Sequence, residues 1–174
     1  MGLLINPADF TGKYELNIDL GTNVLIADCI SKYEEWYLKQ LMGATMFAAF
    51  KLSVASQVPT GIYLALYTPF DIDDDTCLPD DGLGIRSSNG LKEMLLGFIW
   101  FEFVRDNKYK HHKSGQITDK NENSREVSFD EANIVDKYNR AQATYEDIQW
   151  LIEQVPVTYP DYNGQKIEMS YWAL

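Results

Sequence analysis

One periodic pattern near the C-terminus constrains this chain more than any other feature. Ile134, Tyr138, Ala141, Tyr145, Ile148, Ile152 and Val155 follow one another at alternating spacings of four and three. That rhythm puts all seven side chains on one stripe of an α-helix. Asp136, Lys137, Arg140, Glu146 and Asp147 occupy the other faces. Ser128-Phe129-Asp130-Glu131 has the form of a capping box and Pro156 stops the pattern, so a helix is predicted over 129–155. Such a stripe is stable in water only when other elements cover it.

Three further helices are expected to supply the cover. Ile26, Ile30, Tyr33, Tyr37 and Leu41 form a stripe over 22–42, closed by Gly43. A second helix over 44–57 carries Met46, Phe47, Phe50 and Val54, with Pro59 and Gly61 beyond its end. The third, 89–107, contains the run Met94 to Val104, apolar on nearly every side and so expected to be surrounded by protein. That run includes Glu102 and is too short to span a bilayer.

The remaining segments are not predicted to be long helices. Residues 1–21 read as an extended arm, a strand or strap, because Tyr14, Leu16, Ile18 and Leu20 alternate with polar residues. Ile62 to Tyr67 fits a strand or a helical turn, and an acidic loop follows at 71–81. Residues 108–128 read as a projecting loop or hairpin, and 156–174 as an extended, aromatic tail. The expected fold is therefore mainly α, a single domain over 1–174. Its core of about four helices spans 22–155, with an N-terminal arm, the projecting element and a C-terminal docking tail.

Charge and motifs narrow the function. The 26 acidic and 15 basic residues leave a formal net charge of -11. Phosphate-backbone binding and attraction to anionic membranes both depend on Lys and Arg, so neither is expected. Cys29 and Cys77 fit no metal spacing and read as free thiols of a reducing compartment. Met1 to Ile5 lacks the positive region of a signal peptide, and Asn6 stands where a myristoylation motif needs Ser or Thr. Asp71, Asp73 and Asp75 alternate as calcium ligands do, but Thr76 and Gly82 stand where the loop's glycine and final acid belong. His111 and His112 are adjacent and lack companion ligands. The cationic run Arg105 to Lys113 reads as a solvated helix end. There is no nucleotide-binding loop and no nucleophile signature. No catalytic residue, metal or cofactor is expected, and the chain reads as a non-enzyme.

Two segments carry a family resemblance. One is the run from Leu20 through Ile30, Tyr33-Glu34-Glu35-Trp36-Tyr37-Leu38 and Leu41-Met42-Gly43. The other is the apolar helix ending Phe101-Glu102-Phe103-Val104-Arg105-Asp106, then Ser114-Gly115-Gln116-Ile117-Thr118 and Asn121-Glu122-Asn123-Ser124, then a long helix. Their order resembles the head–tail connector, or neck adaptor, proteins of tailed bacteriophages, over roughly residues 10–155. The resemblance implies a helical subunit of a ring, commonly dodecameric, that binds the portal and extends the DNA channel towards the tail without gripping the DNA. It also implies assembly in the host cytoplasm and residence in the virion neck, with further neck or tail proteins as partners.

On that reading Tyr159, Tyr162, Ile167, Met169, Tyr171 and Trp172 form a docking tail for the portal or a neighbouring subunit. Ser114, Gln116, Ile117, Asn121 and Asn123 are the contacts of the projecting element. Two rival readings are an acidic DNA mimic that inhibits a nucleic-acid-binding enzyme, and a metal-dependent enzyme built on the Asp71–Asp81 loop.

Overall fold

The computed structural model describes residues 2–16, 20–73, 85–107, 110–112, 115–117 and 131–165. The fold is mainly helical. Helix α1 spans Leu20–Met42 and α2 spans Ala44–Ser53. A short α3 (Leu64–Tyr67) precedes α4 (Gly90–Asn107) and α5 (Glu131–Gln154). Three two-stranded antiparallel pairs punctuate them: β1 (Val54–Ala55) with β2 (Val58–Pro59), β3 (Phe70–Asp73) with β4 (Ile85–Ser88), and β5 (Lys110–His112) with β6 (Gly115–Ile117).

Helix α4 is the centre of the molecule. Leu91, Met94, Leu95, Phe98 and Ile99 are fully buried, and Leu96, Trp100, Phe101 and Phe103 nearly so. Its main partner is α5. Phe101 packs on Tyr138, and Gly97 lies against Ala141, so the pair is antiparallel. Phe98 lies stacked on Tyr37 of α1 at 4.2 Å and meets Tyr138 and Tyr145 of α5 edge-on. The periodic stripe of α5 faces this core: Ala141, Tyr145, Ile148 and Ile152 are buried, while Ile134 and Tyr138 are half-buried and Val155 is exposed.

The N-terminal segment is a strap, as expected, but contains no strand among the described residues. Its backbone polar groups are met by 3-10 turns at Pro7–Asp9 and Gly12–Tyr14, the first closed by a capping box from Asn6. Leu4, Ile5, Phe10 and Tyr14 seal the core beneath it.

The second helix is shorter than its sequence suggests. It stops at Ser53, and 54–59 form the β1–β2 hairpin. Ser56 and Gln57 adopt φ of 51° and 65°, as a two-residue hairpin turn requires. The apolar run at 62–67 is a 3-10 turn leading into α3. The acidic segment begins as strand rather than loop: Asp71 and Asp73 lie in β3, paired with Ser87 and Ile85. Residues 74–84 lie outside the described residues.

Between α4 and α5 the chain forms the β5–β6 hairpin, which holds Gln116 and Ile117. Ser114, Asn121 and Asn123 lie outside the described residues, as do Ser128 and its capping box.

The tail differs from an arm that leaves the core. Residues 156–165 fold back over the junction of α1 and α2. The Asn163 and Gln165 N–H groups donate to the Met42 and Gln40 carbonyls at 3.2 and 2.7 Å, capping the last turn of α1. Gly43 has φ of 78° between the two helices, and a β-carbon there would meet Asn163 backbone at 2.7 Å. A β-carbon on Gly164 would collide with the Leu41 carbonyl oxygen. Both glycines therefore let two backbones approach each other.

Candidate assembly surface

Two buried carboxylates, Glu34 and Glu102, are engaged by partners within the chain. Glu34, in the middle of α1, is buried and accepts three backbone N–H bonds from the strap: Leu3 at 2.5 Å, Leu4 at 2.7 Å and Ile5 at 3.0 Å. Burial pushes its pKa up, with the three donors pulling the other way. Glu102 of α4 is also buried, accepts the Tyr37 hydroxyl at 2.8 Å and pairs with Arg105. Desolvation raises its pKa as well. Arg105 continues to Asp106, which accepts from Tyr33 at 2.9 Å, so this network ties the end of α4 to α1. Cys29 is buried nearby, and burial pushes its thiol up to about 12, far from a reactive thiolate.

A cleft of roughly 200 Å³ is lined by Tyr14, Glu93 and Thr144, together with Lys13 and Arg140. Lys13 pairs with Glu93, which also accepts the Tyr14 hydroxyl, and Arg140 pairs with Asp136. The charges cancel within the cleft instead of converging on an empty point. Among the described residues no cluster of three or more His, Cys, Asp or Glu is placed to hold a metal ion.

The surface is more informative than the interior. Helix α2 turns Met46, Phe47 and Phe50 to the core and leaves Thr45, Ala48, Ala49 and Leu52 in solvent. Those four stand at helical spacing on one uncharged face. Leu52 is 90% exposed. On the core side of α2, Tyr63 meets Phe50 edge-on at 5.4 Å. The Tyr159 hydroxyl donates to the Ile62 carbonyl at 3.0 Å, which sets the 155–159 turn beside Ile62. That turn carries Val157, 94% exposed, while Val58, Ile62 and Leu64 are each more than two-fifths exposed. Full burial of a Leu or Val side chain is worth about 1.5–3 kcal/mol, which this surface leaves unrealised in the isolated chain.

Charge is almost absent here. From Gln40 to Phe70 the chain has one ionisable group at neutral pH, Lys51, and that ammonium is paired with Glu35 at 2.5 Å. No protein-family model, curated protein or solved structure matches the chain. Its surface must therefore be read from its own chemistry.

The residues expected to dock a partner separate into two groups. Tyr159 is buried and Tyr162 half-buried within this chain's own core, so neither is free to anchor a partner in this fold. Burial lifts the Tyr162 hydroxyl pKa to about 12. Gln165 closes the described tail: its carbonyl accepts from Tyr145 at 2.5 Å and Gln149 at 3.1 Å. Ile167, Met169, Tyr171 and Trp172 lie outside the described residues. The sequence reading missed the α2 face, although the signal was present: a helix apolar on both sides cannot satisfy both within a small domain.

Proposed function

We propose that this chain is a structural subunit of a tailed-phage neck, a ring-forming head–tail connector that binds the portal and carries the DNA channel towards the tail. The observation that carries the reading is the antiparallel α4–α5 pair joined through a hairpin-bearing segment. Its two helices form the rigid base, and the hairpin starts where the Glu102–Arg105–Asp106 network fixes the end of α4 to α1. The described residues of the runs that resemble connector proteins fall on α1, the end of α4 and strand β6. Recognition elements set on rigid scaffolds commonly take this form. The net charge of -11 suits a ring through which DNA must pass without sticking.

The same features weigh against the rival readings. A DNA mimic needs its carboxylates arrayed like phosphates, whereas Asp9, Glu34, Glu35, Glu102 and Asp106 are held by partners within the chain. Asp71 accepts the Ser87 hydroxyl and lies in a paired strand, not in a ligand loop.

Portal docking is assigned to the end of the tail, Ile167 to Trp172, beyond the point where Gln165 is fastened. The test is co-purification with the portal, followed by electron microscopy. The full chain is expected as a ring coaxial with the portal. A chain truncated after Gln165 is expected to keep its melting temperature and lose the portal. A full chain that never binds portal would end this reading.

A further inference from the structure

We infer that Asn163-Gly164 is a self-modifying site, where the asparagine converts without an enzyme to aspartate and isoaspartate and so loosens the tail from the end of α1. The inference is independent of the connector reading.

The chemistry belongs to the pair itself. The sequence holds two Asn-Gly pairs, Asn89-Gly90 and Asn163-Gly164. Glycine has no β-carbon to shield its nitrogen or to restrict the turn that brings it onto the asparagine side chain. The Gly nitrogen gives up its proton to base and attacks the side-chain carbonyl carbon. A ring N–C bond forms, the bond to the side-chain nitrogen breaks, and ammonia leaves. Water then opens the cyclic imide. Opening at the side-chain carbonyl leaves aspartate. Opening at the main-chain carbonyl leaves isoaspartate, whose backbone runs through the side chain and is one atom longer.

The structure separates the two pairs. The Gly90 N–H donates to Ser88 Oγ at 3.3 Å, and Gly90 is buried against the Tyr67 and Thr68 carbonyls. Its nitrogen is occupied and its backbone has little room to turn. Asn163 is exposed, and neither its side chain nor the Gly164 N–H has a hydrogen-bond partner among the described residues. The fold also requires the glycine that makes Asn163 labile, because a β-carbon on Gly164 would collide with the Leu41 carbonyl oxygen. The consequence follows from position. The pair sits between two donors that cap α1, the Asn163 N–H on Met42 and the Gln165 N–H on Gln40. A backbone one atom longer between those donors cannot hold both in register. Either product adds a carboxylate at the C-terminal end of a helix, where the macrodipole disfavours negative charge.

The experiment is incubation of the purified full chain in mildly alkaline buffer, with peptide mass spectrometry and isoaspartate labelling by an isoaspartate-specific methyltransferase. A sample in denaturant shows both pairs reacting without the fold. In the native chain the Asn163 peptide is expected to gain about one mass unit and the isoaspartate label well ahead of the Asn89 peptide. The converted chain should melt about 2–8 °C lower, as loss of one or two backbone hydrogen bonds implies at this length. Asn163→Gln should fold normally, since the Asn163 side chain is exposed, and should keep its melting temperature through the incubation, because its longer side chain must close a larger, slower-forming ring. Asn163 intact in the native chain after the denatured sample has converted would overturn the inference. So would Asn89 converting as fast as Asn163, or a converted chain that melts like the fresh one.

Discussion

Helices α2 and α4 have nearly the same character and opposite fates. Each is apolar almost all the way round. Helix α4 is enclosed by α1, α5 and the strap, and the large apolar side chains from Leu91 to Phe103 are all buried. Helix α2 is enclosed on one side only. Its other side shows Ala48, Ala49 and Leu52 to water. The apolar surface of α4 is covered within this chain, while one side of α2 stays open. The sequence marks α4 as a helix to be surrounded but α2 only by its Met46, Phe47, Phe50 and Val54 side; the packing shows that the opposite side of α2 is open.

The sharpest way to break this comparison is to cut equivalent apolar bulk from both helices. Phe98→Ala removes a ring fixed by three aromatic neighbours and should cost about 3–5 kcal/mol of stability. Leu52→Ala should change monomer stability by less than about 0.5 kcal/mol, as an exposed position does. Denaturant melts of both variants at low concentration check this. Comparable losses would mean that α2 is covered within the chain.

Truncation after Val155 comes next in size. It removes Tyr159 from the core and the two backbone bonds that cap α1. A buried aromatic alone is worth a few kcal/mol, so the melting temperature should fall by roughly 10 °C or more for a domain of this size. An unchanged melt would show that the tail is not part of the fold.

The smallest expected effect is a pH dependence from Glu102. Burial raises its folded pKa above the unfolded value, so the folded state holds the proton more tightly in the window between the two. Stability conferred by this group therefore grows as pH falls through that window and declines as pH rises out of it. Glu102→Gln cannot titrate. Relative to that variant, the wild type should gain stability between neutral pH and the ordinary carboxylate range. Thermal melts of the two proteins over that range decide the point, and a gap that widens against the wild type on acidification would reverse the sign.

Much of this fold was legible in the sequence because periodicity reports burial directly. The predicted 22–42 and 129–155 helices became Leu20–Met42 and Glu131–Gln154, since one stripe of each faces the same core. The β1–β2 hairpin was not legible. Val54 continues the helical spacing, and Ser56-Gln57 is not a pair that announces positive φ. Glu34 was equally hidden. Beside Glu35 on a helix it looks like one more surface acid, and its partners are backbone N–H groups, which leave no mark on composition. The aromatic tail was visible as something to be buried, but its destination was not. Tyr159 and the Gln165 backbone settle on α5, α1 and the 61–63 turn through contacts distant in sequence.

The central claim is that the two apolar helices differ in cover: α4 is enclosed within the chain and one side of α2 is open. The most direct measurement is the alkylation rate of a cysteine placed at Leu52, compared with one placed at Leu95 and with Val135→Cys as an exposed reference. Leu52→Cys should react about as fast as Val135→Cys, and Leu95→Cys roughly tenfold or more slowly, since opening of the core limits it. Equal protection at positions 52 and 95 would contradict the claim.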